Sequence, residues 1–137
     1  MLPHRPPFVW IDEVTDATLE GGACAVTLRE DAPYFGPDGL RRSSFLEFMA
    51  QAFGYLRAAQ SAAGLLPGRP APTKAFLVSI QDAVFTESAN LLPPPGTRLA
   101  IELTGAREVG PITLFSAAVK SPGGDVIVRA RLKVFSE

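Results

Sequence analysis

Residues 43–64 carry the longest helical pattern of apolar positions in the chain. Apolar side chains recur there at steps of three and four: Phe45, Phe48, Met49, Ala52, Phe53, Leu56, Ala59 and Ala63. This spacing forms a broad apolar stripe on an α-helix, so most of the helix surface is expected to be buried. Ser44 and Glu47 have the spacing of a capping box at its start, and Gly64 before Pro67 indicates its end.

Strand patterns precede this predicted helix. Residues 8–16 are rich in strand-favouring side chains, and residues 24–28 alternate in polarity after a Gly-Gly turn. Together these stretches predict a β-hairpin over residues 8–28. Residues 31–42 contain two prolines and two glycines, which predicts a loop that leads directly into the helix.

Further strand patterns follow the helix, at residues 74–85, 99–108, 112–120 and 126–135. Proline and glycine separate the last three, which predicts an antiparallel meander. In the final strand apolar side chains alternate with Arg129, Arg131 and Lys133. We therefore expect an apolar face toward the core and a cationic face outward.

This order of two strands, a long helix and four strands is typical of an α+β domain. One curved antiparallel sheet of five to six strands would wrap a long central helix, which is the hot-dog arrangement. We expect residues 1–137 to form a single domain of this kind. Unpaired backbone groups at the sheet edges favour edge-to-edge pairing of two subunits.

Composition narrows the classes of function. A formal net charge of −1 and a pI near 5.8 give no basic field for nucleic acid or an anionic membrane. The single cysteine, Cys24, excludes an internal disulfide and is expected to be a small buried side chain. With one histidine and one cysteine, we expect no metal site. Polar residues along the helix argue against a membrane span, and no targeting pattern is evident, so we expect a cytoplasmic protein.

Two sequence motifs carry a family resemblance. LPHRPPFVWIDEV at residues 2–14 and FLEFMAQAFGYL at residues 45–56 resemble the N-terminal signature and the central helix of hot-dog 3-hydroxyacyl-acyl carrier protein dehydratases. Residues 76–96 add a weaker likeness, and the loop at residues 31–44 looks most like dehydratase-like proteins of aryl polyene biosynthesis. The resemblance implies a substrate carried on phosphopantetheine, by acyl carrier protein or CoA, with no bound cofactor. It also implies a homodimer, or a heterodimer with another hot-dog subunit.

The family's catalytic pair is a histidine in the loop before the helix and a carboxylate in the first helical turns, contributed by opposite subunits. Glu47 matches the carboxylate, and Asp38 falls near the position of the histidine, which this chain lacks. Both residues also have plain structural interpretations, Glu47 in a capping box and Asp38 in a Pro-Asp-Gly turn. His4, the only histidine, lies in the N-terminal signature, where it is expected to hold a turn.

The first hypothesis is therefore a dehydratase. A base, either Asp38 or an outside group, would remove the substrate's α-proton, and Glu47 would assist departure of the β-hydroxyl. The backbone amides of Ser43 and Ser44, at the positive end of the helix, would stabilise the thioester oxygen.

Three more residues are expected at the substrate site. Gln51, one turn beyond Glu47, would hydrogen-bond that carboxylate, the substrate or a group across the dimer. Phe48 and Phe53 would lie beside the acyl chain.

Two alternatives to the dehydratase stay open. In an acyl thioesterase, the helix carboxylate would activate water instead of assisting elimination. Alternatively, the chain is a non-catalytic hot-dog subunit whose partner supplies the missing histidine at a shared site.

Overall fold

The computed structural model describes residues 10–18, 20–37, 39–40, 43–65, 75–86 and 93–136. The elements in chain order are β1 (Glu13–Ala17), β2 (Gly22–Thr27), β3 (Phe35–Gly36), β4 (Gly39–Leu40), α1 (Ser43–Ala62), β5 (Ala75–Phe85), β6 (Arg98–Val109), β7 (Ile112–Lys120) and β8 (Val126–Ser136). Across the described ranges, no helix combines the length and the hydropathy that a membrane span requires.

Six strands form one antiparallel sheet in the order β1-β2-β6-β7-β8-β5. Helix α1 packs on one face of this sheet, and alternate strand residues join the helix side chains in a single apolar core. The predicted α+β architecture and the β6-β7-β8 meander are thereby confirmed. The predicted two-faced pattern of β8 is also confirmed, because Ala130 and Leu132 are buried while Arg129 and Arg131 are exposed.

The C-terminus of α1 closes through a left-handed residue. The N–H of Leu65 donates to the carbonyl oxygen of Gln60 at 2.9 Å. The N–H of Gly64 donates to the carbonyl oxygen of Ser61 at 3.1 Å. This pair of bonds is a Schellman motif. Gly64 has a φ of 75°, which glycine adopts without a steric penalty from a Cβ. The predicted helix end is confirmed.

Helix α1 begins at Ser43, where the sequence predicts it, but the predicted role of Ser44 as its cap is not observed. The helix already begins at Ser43, so Ser44 lies inside the first turn and does not precede it as a cap would. The Ser44 hydroxyl donates instead to the carbonyl of Tyr34, at 3.3 Å. The capping-box prediction for Ser44 and Glu47 is therefore wrong, because Ser44 is already a helical residue.

Two boundaries outside the helix also differ from the sequence prediction. The β1–β2 hairpin is present, but β1 begins at Glu13, and the described residues before it are not in a strand. The stretch predicted as a loop, residues 31–42, contains the two short strands β3 and β4, with Phe35 opposite Leu40.

A β-bulge in β6 decides where two charged side chains point. The register between β6 and β7 shifts by one residue between Thr104 and Arg107, and Gly105 there has a φ of 64°. A one-residue shift exchanges the two faces of a strand. Arg107 therefore lies opposite Leu114 on the outer face, and Glu108 turns toward the helix.

Candidate active site

Glu47 lies in the second turn of α1, half-buried, in a chain of hydrogen bonds. The Nε2 group of Gln51 donates to Oε1 of Glu47 at 3.4 Å, and the backbone N–H of Trp10 donates to Oε1 of Gln51 at 2.8 Å. Because a backbone N–H can only donate, it fixes the amide oxygen of Gln51 and directs the NH2 group toward Glu47. Gln51 is only 2% exposed, so its amide is shielded from water and orients the half-buried carboxylate of Glu47.

Aromatic rings hold the Trp10 end of this network. The Trp10 ring packs edge-on against Tyr34 at a centroid distance of 5.1 Å and against Phe48 at 5.4 Å. Tyr34 and Phe48 are themselves in edge contact at 5.3 Å, and both are fully buried. Such ring pairs stabilise a structure beyond the area that they bury. The cluster fastens the segment before β1 to the first turns of α1, where Glu47 lies.

The loop before the helix is attached to the same place. The hydroxyl of Tyr34 accepts a hydrogen bond from the N–H of Arg29 at 2.7 Å, and its carbonyl accepts the one from Ser44. These two bonds position the loop against the first turn of α1, whose backbone N–H groups have no acceptor within the helix.

Sequence analysis singled out four polar residues at or before the helix start, and the structure describes two of them. Ser43 is the first residue of α1 and is exposed, whereas Ser44 is buried. Asp38, the predicted base, and His4 both lie outside the described residues.

The two predicted acyl-binding phenylalanines lie on different sides of the helix. Phe48 belongs to the aromatic cluster near Glu47 and Gln51, whereas Phe53 stacks on Phe115 of β7 at a centroid distance of 4.9 Å. Five residues along an α-helix correspond to a rotation of about 140°, which accounts for the separation. The structure thus brings Phe48, but not Phe53, together with the Glu47 network.

Cys24 is fully buried beneath the helix, with its Sγ 3.7 Å from the carbonyl oxygen of Ala52. Burial raises the pKa of this thiol from 9.0 to about 12. The thiolate, which is the reactive form, is therefore scarce at neutral pH. The prediction of a small buried side chain is confirmed.

The pKa of Tyr55, on α1, is raised above its ordinary value. Burial of the phenol is the larger cause, and the negative charge of Asp12 is the next.

Sequence reasoning missed a second polar cluster, toward the other end of α1. Arg57 is 6% exposed, and its guanidinium contacts Glu108 at 3.0 Å and Gln60 at 3.2 Å. It also lies over the Phe53 ring, 5.3 Å from its centroid. The one signal available in the sequence was Gly105, because glycine inside a strand pattern often marks a bulge. This cluster ties the helix to β6 and serves the fold.

The Glu47 region therefore offers a carboxyl group for proton transfer and backbone donors at a helix N-terminus, a place suited to a developing negative charge. In the described part of the chain, no three His, Cys, Asp or Glu side chains are close enough to hold a metal ion. The arrangement is suited to acid–base chemistry beside a polarised carbonyl.

Comparison with known proteins supports this interpretation. The sequence model of the ApeP-like family, described as ApeP dehydratase, matches residues 1–137. The 3-hydroxyacyl-[acyl-carrier-protein] dehydratase FabZ of Vibrio cholerae is 33% identical over 142 residues, which cover 97% of this chain and 84% of the relative.

Solved structures confirm the fold. The dehydratase heterocomplex ApeI:P from Xenorhabdus doucetiae contains a chain with a TM-score of 0.80 and 22% identity, covering 99% of this chain and 88% of that one. The TT0310 protein from Thermus thermophilus has a TM-score of 0.61 at 17% identity, covering 96% and 98%. The predicted hot-dog fold is thus confirmed. The chain belongs to the ApeP-like family of hot-dog dehydratases, relatives of the 3-hydroxyacyl-acyl carrier protein dehydratases.

Proposed function

We propose that this protein takes part in eliminating water from a 3-hydroxyacyl chain, with Glu47 as the proton donor to the departing hydroxyl. The substrate is a thioester carried on the phosphopantetheine of acyl carrier protein or CoA. The observation that carries the proposal is the buried amide of Gln51, which is oriented by Trp10 and donates to the Glu47 carboxylate. A carboxyl group held in this way can meet a leaving group in one geometry.

The elimination divides into two proton transfers. A base removes the proton from the α-carbon, and the electron pair of that C–H bond forms the new double bond as the C–O bond at the β-carbon breaks. Glu47 gives its proton to the departing oxygen, which leaves as water, and is left as a carboxylate. We assign the base to Asp38 or to a group of a second subunit.

The thioester oxygen becomes more negative during α-proton removal and requires hydrogen-bond donors. The amides of Ser43 and Ser44, at the positive end of α1, supply them in this proposal. The apolar tail of the substrate extends past Phe48 toward the side of the helix on which Phe53 lies. The loop resemblance extends the proposal to the unsaturated chains of aryl polyene biosynthesis.

The proposed active site is composite. The one histidine of the chain is His4, so the loop histidine of the related dehydratases is missing here, and a hot-dog partner that carries it would complete the pair. In a second candidate function the chain contributes no catalytic group and only stabilises such a partner. The missing histidine favours this candidate, and the role of Glu47 separates the two.

Synthetic 3-hydroxyacyl thioesters of acyl carrier protein and of CoA test the proposal. The purified protein, alone and mixed with a hot-dog dehydratase subunit that has the loop histidine, is expected to form the enoyl thioester in at least one condition. Product would be followed by mass spectrometry, together with release of free thiol.

The outcomes separate the functions. Enoyl product that depends on this chain and on Glu47 supports the proposal. Free thiol without enoyl product indicates a thioesterase. Enoyl product that is unchanged by Glu47→Gln indicates an accessory subunit, and no conversion in any condition rejects the proposed dehydration.

A further inference from the structure

The outer face of the sheet, away from α1, contains a depression of about 400 Å³. Polar side chains from four neighbouring strands line it: Gln81 of β5, Arg107 of β6, Ser116 of β7, and Arg131 and Lys133 of β8. The volume lies within the range of small-molecule sites, roughly 300–1,000 Å³. Most such sites are apolar, whereas this one is lined by three cations.

The strand register explains why the cations converge. Lys133 of β8 and Arg107 of β6 both lie opposite Leu114 of β7, one on each side. Neighbouring strands are ~4.8 Å apart, so the two cationic side chains arise only about 10 Å from each other. Arg131 lies on the same face, two residues before Lys133, opposite Ser116. The β6 bulge is essential here, because without it Arg107 would face the helix.

The lining of the depression also includes two small residues, besides the apolar Leu114, Phe115 and Leu132. Ser116 has a short side chain, and a Cβ added at Gly105 would meet no atom within 4 Å. Long cationic side chains on β6 and β8 stand around this recess. A ligand can therefore reach the surface of the sheet while the cations approach it from several sides.

The local charge is positive although the chain as a whole has a net charge of −1. Glu108 is turned away to Arg57 by the bulge. Asp82 does approach, with Oδ2 3.7 Å from Nε of Arg131, but the two side chains are 70% and 71% exposed. A solvated pair of this length holds Arg131 weakly. The depression therefore attracts anions.

A buried hydroxyl lies on the same face, outside the lining of the depression. Ser79 of β5 lies opposite Lys133, and its Oγ is buried with no hydrogen-bond partner in the described part of the chain. Buried polar groups are normally satisfied by protein, water or ligand. Ser79 does not line the depression, so the case for a ligand there is carried by the three cations.

We propose that this depression binds a compact phosphate-bearing anion, of the pyrophosphate or nucleoside diphosphate class. Two guanidinium groups and an ammonium group converge on a recess, which suits the closely spaced oxygens of a diphosphate. The site lies on the face opposite α1, so its test is independent of Glu47 and of any dehydration.

Isothermal titration calorimetry tests the site, with inorganic phosphate, pyrophosphate and ADP as separate probes at one fixed low salt concentration. The wild-type protein is expected to bind pyrophosphate with a saturable heat, and Arg131→Gln to weaken this binding by about tenfold. Arg129→Gln is the matched control, because it removes the same charge from the same face of β8 but borders a neighbouring depression. It is expected to change affinity by less than about twofold.

A third variant is expected to act in the opposite direction. Asp82→Asn removes the carboxylate that competes for Arg131, and asparagine tolerates the φ of 54° at this position. Its pyrophosphate affinity is expected to rise severalfold, which keeps the proposal testable even if Arg131→Gln fails to fold. Comparison of pyrophosphate with ADP shows whether the nucleoside adds to the binding.

Three results would overturn the proposal. They are no saturable heat with any probe, equal weakening by Arg129→Gln and Arg131→Gln, or weaker binding by Asp82→Asn. An acidic carrier protein that binds through Arg131, in the absence of pyrophosphate binding, would identify the face as a protein-docking surface instead.

Discussion

Gln51 connects two parts of the molecule that are distant in sequence, the N-terminal segment and the second turn of α1. Both ends of its side-chain amide are used, one by Trp10 and one by Glu47. A buried amide is costly to desolvate unless both of its groups are bonded. Its place among aromatic rings is therefore explained by orientation of Glu47, and we regard it as a positioning residue.

Gln51→Leu is expected to lower kcat of the assembled dehydratase on the order of 10- to 100-fold while KM changes little, because the carboxylate loses its fixed geometry. Loss of a buried hydrogen-bonding group also lowers stability by about 1–3 kcal/mol. Steady-state kinetics and thermal unfolding measure the two effects separately.

Gln60→Leu supplies the matched control for this prediction. Gln60 is an equally buried glutamine of α1, 1% exposed, and it bonds Arg57 and the Thr18 carbonyl. It should lower the unfolding temperature to a similar extent and leave kcat unchanged. Equal losses of kcat in the two variants would show that Gln51 acts only through stability.

Cys24 is expected to resist alkylation in the folded protein. Its pKa is raised from 9.0 to about 12 by burial, so the thiolate fraction near pH 8 is lower by about a thousandfold than in the unfolded chain. Iodoacetamide labelling followed by mass spectrometry, with and without denaturant, measures the difference. Comparable labelling rates in both states would contradict the buried position.

The same pKa shift gives a pH dependence of stability. The folded-state pKa lies above the unfolded one, so the contribution of Cys24 is fully present below pH 9.0 and is lost as the pH rises toward about 12. Cys24→Ala should make the free energy of unfolding fall less steeply over this alkaline range. An identical slope in both proteins would contradict the shift.

Among the elements, the C-terminal end of α1 depends on one left-handed residue. The C-terminal end uses the left-handed Gly64, and Gly64→Ala is expected to lower the free energy of unfolding by about 1 kcal/mol, because alanine is strained at positive φ. Chemical denaturation measures this loss. Gly64→Asn should cost less, since asparagine tolerates the same conformation, and equal effects of both variants would argue against the closing motif.

The predictability of each element follows from the range of the interactions that form it. The end of α1, the strand alternation of β8 and the β6-β7-β8 meander come from local periodicity and turn residues, so the sequence predicts them well. The start of α1 was also predicted correctly, but the capping box was not, because Ser44 lies inside the first turn and its hydroxyl donates to the carbonyl of Tyr34, a tertiary contact. Local spacing contains no information about such a partner.

The candidate site was predictable in part, for the same reason. The motif placed Glu47 and Gln51 one turn apart on a helix, and their hydrogen bond follows from that spacing. The donor from Trp10 depends on how the N-terminal segment folds over the helix, and periodicity does not show it. Arg57 and Glu108 likewise meet only because a bulge reverses the face of β6.

At the scale of the whole molecule, the sheet separates two chemical environments. Its inner face packs on α1 and the apolar core, with Glu47 near one end of the helix, whereas its outer face carries the cations of β6 and β8. β5, an edge strand of this sheet, exposes Val84 by 52%. An exposed apolar residue on a sheet edge fits the proposed pairing with a second hot-dog subunit.

The role of Glu47 is tested most directly by its Gln variant in the assembly that catalyses dehydration. Single-turnover elimination would be measured for a 3-hydroxyacyl thioester and for an analogue whose 3-substituent leaves without a proton. We expect Glu47→Gln to slow hydroxyl elimination by about 100-fold or more and the analogue by much less, because only the hydroxyl requires an acid. Wild-type rates on the hydroxyl substrate, or equal losses on both, would contradict the assignment of Glu47 as the proton donor.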